Sequence, residues 1–537
     1  MLNMSGTVND LKLFVKGRVL IDDESIEKAS RDASIFYVRP EVVVVPRDLK
    51  DLQNIVYYVS RMRANGQDIS LTARNKGTCM SGGPLSQSIV LDMSSFSHVG
   101  AADIKHKKIA VQGGAMHLDI EAATHPHRLL FAPYTSSRDL CGIGGMIGNN
   151  ASGEQSVKYG PTSSNVSKLR VMLSDGEVYE FGPLSTEQLA KKLELPTYEG
   201  KLYREVTRLI DENWHMIQNG HPKVRKNAAG YALWELWDEH RHTFNMARLF
   251  IGAQGTLGIT VEAELKLVPF TAASRMIVSP VPNLRDLAPI VQTMLAGGAT
   301  TVETFDYHTY DLAKLYHPED AGRAYLAEGK HLIVFAIYDG DSQTHADTRA
   351  QKVVDKLVGG GYQSEQIIDE STKESYLLIR RKSFKLLLEH PTGNSRAMPF
   401  IEDTIVDIAH YGEFLAALES ILADYDMEYT YAGHIGDGSI RLIPLVNVEQ
   451  EDAADKVFEL ARRVYDLVFA FGGSMGVDHN DGILKTPFLE RMYGPEMITL
   501  FAKVKELFDP LSMFNPGKKL GGTLEYAKSK MIRENNK

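Results

Sequence analysis

Residues 42–45 are four consecutive valines closed by Pro46, a β-branched run that predicts a buried strand. Directly after it, Leu49, Leu52, Ile55, Val56, Val59 and Met62 recur on one helical face until Asn65-Gly66 ends the pattern. A second short strand over 69–71 leads into a stretch of glycines and hydroxyl residues, 72–84, and a third follows at 89–91. These form an α/β unit wrapped around a loop. Residues 109–182 and 252–269 continue as short strands joined by glycine-rich turns. From about 273 to 470 strands alternate with longer helices, for example a strand over 332–338 and a helix over 453–469, which marks a second domain. Glycine and proline return from Gly472. Residues 1–38 are polar and weakly periodic, an arm or short helices, and beyond Leu520 a lysine-rich tail is expected to be solvated.

Composition narrows the function. The 537 residues carry 59 Lys plus Arg against 69 Asp plus Glu, a net charge of −10, which argues against a nucleic-acid footprint. No apolar run approaches the ~18–20 residues that cross a bilayer. Charged residues interrupt the first twenty positions, so neither a membrane segment nor a secretory leader is expected and a cytoplasmic location is. The two cysteines, Cys79 and Cys141, are too few for an iron–sulfur cluster or a disulfide scaffold. Redox chemistry here needs another cofactor.

Glycines and an asparagine between two strands, Arg74 to Gly83, allow successive backbone N–H groups to face one concavity, as in an anion nest. Ordinary turn chemistry explains the same residues equally well. The segment lacks the spacing of a nucleoside-triphosphate loop. In 142–148 the third glycine lies four residues after Gly144, and Asn149-Asn-Ala-Ser-Gly153 follows, which reads as a turn and speaks against a dinucleotide fold.

Taken in order, Arg74, Gly77-Thr78, Gly82-Gly83, Gly144-Gly145, Asn149 to Gly153, Tyr159-Gly160, Gly252 to Gly258 and Asn515 to Lys518 resemble the FAD-linked oxidases of the vanillyl-alcohol oxidase fold. The likeness is greatest to the branch of D-lactate dehydrogenases, glycolate oxidase flavoprotein subunits and D-2-hydroxyglutarate dehydrogenases. It implies an α+β protein: a two-lobed FAD-binding domain over 39–272, an α+β cap domain with an antiparallel sheet over 273–470, and a segment over 471–520 returning to the FAD domain. An arm, 1–38, and a basic tail, 521–537, flank them. The resemblance assigns FAD to Arg74, Asn75, Lys76, Gly77, Thr78, Gly82, Gly83, Gly144, Gly145, Asn149, Ser152, Gly153, Gly255, Thr256 and Asn515. Asn75 and Lys76 stand where relatives often carry glycine, and asparagine tolerates a positive φ best among the rest. Residues 72–84 hold no histidine, so a non-covalent flavin is expected.

For the second half, the resemblance matches Arg380 to an arginine that grips a substrate carboxylate and His479 to a base. Relatives bind a divalent metal through two histidines and a glutamate. Here His434 matches one histidine, Arg441 replaces the other and Asp478 replaces the glutamate, so His434 and Asp478 remain of the metal set. An arginine cannot ligate a cation but can hold the oxygens a metal would hold, so Arg441 is expected to take over that charge and pair with Asp478. Glu402-Asp403 could orient His434 or supply a metal oxygen, or be a surface pair. The expected reaction is oxidation of a D-2-hydroxy acid, such as D-lactate or glycolate, to the 2-oxo acid, with electrons passing to an acceptor or partner the sequence does not name. An alkyl-dihydroxyacetonephosphate-synthase-like enzyme and a catalytically silent FAD-binding subunit are the alternatives.

Overall fold

The computed structural model describes residues 4–324, 332–390, 393–425 and 427–533. In the first sheet, β1 (Arg18–Leu20), β2 (Val42–Val45), β3 (Leu71–Arg74) and β4 (Ile89–Asp92) lie in the order β1-β2-β4-β3. β4 pairs in parallel with β2 and β3, while β1 runs antiparallel at the edge. All four valines of β2 are buried, as a strand covered on both faces requires. Helix α1 (Leu49–Ala64) makes the crossover; Asp48 caps its start, and Leu52, Ile55, Val56 and Val59 are buried. The strand expected over 69–71 lies further along, because its pairing with β4 runs from Leu71 through Arg74.

The second sheet is antiparallel, with β5 (Lys108–Gln112), β6 (Val166–Met172), β7 (Val178–Phe181) and β8 (Ile259–Lys266) in the order β5-β8-β6-β7. β8 alternates buried and half-buried positions. Helix α2 (Ile143–Asn149) is built from the glycine run expected to be a turn; the turn comes one residue later, where Asn150 takes a left-handed φ of 53°.

The cap is one eight-stranded antiparallel sheet. β9 (Ala273–Val281), β10 (Thr301–Asp306), β11 (Leu332–Gly340), β12 (Glu365–Ile367), β13 (Ser395–Ala397), β14 (Ile401–Ile405), β15 (Tyr429–Gly433) and β16 (Ser439–Asn447) run in the order β12-β9-β11-β10-β15-β16-β13, with β14 also on β16. Helices α3 (Tyr307–Tyr316) and α4 (Glu370–Glu389) pack together beside it. Helix Ala453–Ala470 agrees with the pattern of its sequence.

At the N-terminus the short helices expected as one alternative are present, and a strand accompanies them. The first residues form helices Met4–Phe14 and Asp23–Ala29, and β1 joins the sheet; Lys16 and Gly17 donate backbone N–H groups to Asp51 at 2.9 and 2.7 Å. The tail is not simply solvated. Helix α5 (Leu524–Lys530) buries Ala527, Met531 is 1% exposed, and Tyr37 and Ile532 donate to Lys530 O and Ile35 O. Its lysines, Lys528 and Lys530, are half-buried beside that contact, so composition hid a packed helix; residues 534–537 lie outside the described residues.

Candidate active site

A cleft opens between the loop after β3, α2 and the turn before β8. Arg74, Asn75, Lys76, Gly77, Thr78, Gly83, Gly144, Gly145, Asn149 and Gly255 line it, joined by Cys79, Gly113, Gly142, Gly148, Phe250 and Gln254. At Gly145 and Gly148 an added Cβ would meet no protein atom closer than 3.7 Å, and neither has a positive φ. The protein's own packing therefore does not demand glycine at either position, whereas a ligand pressed against bare backbone does. Asn75 Oδ1 is buried without a partner at the same wall. These features fit a large flat cofactor.

The remaining residues assigned to the flavin lie behind the cleft wall. Asn515 Nδ2 donates to Gly83 O and Gln254 O at 3.0 and 2.8 Å, pinning two cleft loops together. Thr256 Oγ1 is tied to Tyr231 and Ala253 O, a Cβ on Gly82 would strike Phe36 and Ile483, and one on Gly153 would overlap Tyr134 O. Ser152 faces Asp478 instead. Arg74 borders the cleft, but its guanidinium donates to the carbonyls of Lys28, Ala29 and Arg31, locking the N-terminal residues onto the cradle. Asn75 is tolerated for a reason other than the expected one: the positive φ values fall at Gly77 and Gly82, and Asn75 Nδ2 donates to Gly113 O at 3.1 Å.

Beyond the cleft, the segment 477–482 meets the cap sheet. β14 has an irregular register between Ile401 and Thr404, and Asp403 takes a φ of +71°. This irregularity lets two successive carboxylates, both fully buried, serve the same segment. Asp403 accepts from the backbone N–H groups of Val477, Asp478 and His479 at 2.8, 2.7 and 3.0 Å and from Lys485 Nζ at 3.1 Å. Burial would push its carboxyl up; Lys485, His479 and Arg441 together outweigh that and hold it below the usual carboxylate range. Glu402 Oε2 lies 2.5 Å from His479 Nδ1. A carboxylate there fixes the proton on Nδ1 and leaves Nε2 with a free lone pair. Glu402 thus orients His479, not His434.

His434 is oriented by a residue the sequence reading passed over. Glu303, on β10, places Oε1 2.6 Å from His434 Nδ1 and Oε2 2.8 Å from Arg380 Nε, though no N–H is aimed at the latter oxygen. Burial pushes the Glu303 carboxyl up to about 8. Burial, with Lys226, Arg441 and Arg380 nearby, holds His434 well below the ordinary imidazole range despite Asp478, so it is neutral. Arg441 Nη2 sits 2.9 Å from Asp478 Oδ2 and 3.4 Å from His434 Nε2. Burial works against the Asp478 charge, but the cations around it, Lys226 and Arg441 among them, outweigh it and hold its carboxyl well below the usual range. Lys226 Nζ reaches Asp478 Oδ1 at 3.4 Å, Ser152 Oγ at 2.7 Å and Asp437 Oδ2 at 3.1 Å.

Nothing in the residue order near Glu303 or Lys226 marks them. Glu303 is a single acid among threonines and Lys226 one of several cations in Lys223-Val-Arg-Lys226, so their roles are legible only once the fold brings each beside a partner.

These residues do not fit a metal between His434 and Asp478. A guanidinium, which cannot ligate and repels a cation, already lies against both side chains. Glu402 and Asp403 are taken up by His479, three backbone N–H groups and Lys485.

The fold and cleft define a two-domain flavoprotein. The description "FAD linked oxidases, C-terminal domain" matches residues 271–519 and "FAD binding domain" matches 40–182. The D-2-hydroxyglutarate dehydrogenase of Pantoea ananatis (strain AJ13355) is 26% identical over 502 residues, covering 91% of this chain and 49% of that protein. The chain thus spans about half the length of the D-2-hydroxyglutarate dehydrogenases it matches. Glycolate oxidase subunit GlcD of Bacillus subtilis (strain 168) is 25% identical over 524 residues, 95% of this chain and 96% of that one. Among solved structures, p-cresol methylhydroxylase with substrate bound superposes with a TM-score of 0.71 at 12% identity, covering 98% of both chains, which establishes the shared fold. The chain belongs to the FAD-linked oxidases, a family of FAD-dependent oxidoreductases.

Among the described residues no helix is long and apolar enough to cross a membrane.

Proposed function

We propose that the protein oxidises a D-2-hydroxy acid, D-lactate, glycolate or a close relative, to the 2-oxo acid. The observation that carries this reading is the His479–Glu402 pair, on a loop whose Asp478 is held by Arg441, with Arg380 across Glu303 from His434, and with the His479 carbonyl against Cys79 of the flavin cleft. Such a substrate needs a base for its hydroxyl, cations for its carboxylate and an acceptor for its α-hydrogen. FAD, held by the lining described above, supplies that acceptor. His479 Nε2 takes the hydroxyl proton, and Glu402 stabilises the imidazolium that forms. Arg380 and Arg441 hold the carboxylate, since a guanidinium fork keeps its charge and can bond both oxygens. His479 O is reached by Ser81 Oγ at 2.9 Å, and Asn480 Nδ2 donates to Gly252 O at 2.7 Å, so the base rides on a loop fastened to the flavin domain.

Arg441 fills the charge role of a metal. Chelator-treated protein, assayed well below its unfolding temperature, is expected to turn over undiminished, and Arg441→His to gain a metal requirement. Turnover of the wild type that vanishes with chelator and returns with zinc or manganese would refute this. The reaction itself is tested by anaerobic mixing with D- and L-hydroxy acids. Bleaching of the flavin by a D-hydroxy acid or glycolate supports the reading; a flavin that no hydroxy acid reduces points to the silent-subunit alternative.

A further inference from the structure

Away from the flavin, two histidines and a carboxylate converge where α3, the end of α4 and the start of β15 meet. His308 lies in the first turn of α3, His390 caps the C-terminus of α4, and Glu428 directly precedes β15. His308 Nε2 is 2.8 Å and His390 Nε2 3.2 Å from one atom, Glu428 Oε1. The opposite ring nitrogens already have oxygen partners. His308 Nδ1 is 3.0 Å from Tyr429 O, and a carbonyl can only accept, so this ring carries a proton on Nδ1. Tyr316 Oη lies 2.9 Å from His390 Nδ1. A neutral His308 therefore turns its Nε2 lone pair toward the Glu428 oxygen 2.8 Å away, a contact that is repulsive unless that ring is protonated or a cation lies among the three atoms. Tyr316 Oη can accept from or donate to His390 Nδ1, so the Nε2 of that ring is equally able to present a lone pair to the same point.

We propose that His308, His390 and Glu428 form a divalent-metal site of the zinc class, with water as a further ligand. Bonds of about 2.0–2.1 Å in a tetrahedron separate neighbouring ligand atoms by roughly 3.3 Å, close to the spacing found here. An N–H on the far side of each ring bonded to a carbonyl or other oxygen is how proteins fix metal-binding imidazoles. All three side chains are partly exposed, so an ion can enter. Two imidazoles with one carboxylate suit zinc better than calcium or magnesium, which prefer oxygen alone. The site is separate from the His434–Arg441–Asp478 cluster, yet mechanically related to it. α4 carries Arg380 and ends at His390, and β15 starts beside Glu428 and ends at His434. An ion here ties together the far ends of the two elements that position the substrate-facing residues.

FAD-loaded protein stripped with chelator and titrated with zinc alone is expected to retain one equivalent and to melt roughly 5 °C higher at saturating metal. Cobalt in its place should give the intense visible bands of a tetrahedral site. His308→Asn and His390→Asn should each weaken zinc binding by about 10² or more with FAD content unchanged, as loss of a direct ligand requires. His317→Asn, at the neighbouring ion pair with Glu389 (2.9 Å), should leave zinc binding alone. No retained zinc and no thermal shift in the wild type overturns the proposal, as does full zinc retention in the double variant. If the histidine variants lose FAD, Glu428→Gln provides the reading: at least tenfold weaker zinc binding supports the site, and unchanged binding overturns it.

Discussion

At the residue scale, Glu303 decides how the cluster responds to pH. Its carboxyl, raised by burial to about 8, is neutral through the mildly acidic and neutral range, which on the proposed reading leaves Arg380 to a substrate carboxylate. Above about 8 the ionised Glu303 competes for that guanidinium. KM for the hydroxy acid should therefore stay level and then climb, by up to about tenfold per pH unit, while kcat changes less; Glu303→Gln should flatten the profile. Stability follows the same sign. A carboxyl with a raised folded pKa binds its proton more tightly in the native state, so its contribution is complete below 4.5 and is lost as pH rises toward about 8. His479→Gln separates base from clamp: it should leave the flavin bound but slow flavin reduction by on the order of 10² or more, and unchanged reduction kinetics would place the base elsewhere. Arg380→Lys, which keeps charge but loses the fork, should raise KM more than it alters the flavin spectrum.

At the scale of elements, the irregular strand β14 does more than add an edge to the cap. By presenting Glu402 and Asp403 to one segment, it binds the cap to the loop that carries His479. Asp403→Asn leaves Lys485 buried beside a neutral partner and should cost roughly 3 kcal/mol, seen as a lower denaturation midpoint with its slope unchanged. The cleft wall makes a different demand. The Cβ of Gly145→Ala or Gly148→Ala meets no clash within the protein, so either variant should fold yet purify with less FAD. A fully yellow variant would show that the cofactor does not lie against that helix.

What could be read in advance divides along the same line. Runs with one dominant period, such as Val42–Val45 and the helix that follows, declare their structure locally, because burial of one face is a property of spacing. The ordered glycine motifs carried the FAD fold and the family. Glu303, Lys226 and the two-carboxylate arrangement at β14 were not legible, since their meaning depends on strands far apart in sequence becoming neighbours. The helix hidden in the lysine-rich tail shows the opposite error, where average composition masked a periodic apolar face at Ala527 and Met531.

Over the whole molecule, the FAD domain is closed by residues far along the chain. Leu71 and Phe514 form a parallel bridge, Asn515 N donates to Leu71 O at 2.8 Å, and Asn515 fastens the loops at Gly83 and Gln254. These contacts span more than 400 positions, since Asn515 Nδ2 and Gly83 O are 432 residues apart. Such separation makes the final closure a late, slow event, because a long loop must be ordered before its contacts are gained. On the ribosome, the early strands wait for the entire cap to emerge before their sheet acquires its last neighbour. Flavin capture thus waits until Phe514 and Asn515 have emerged, and a nascent chain halted before Phe514 should be an open vessel that does not hold its dye.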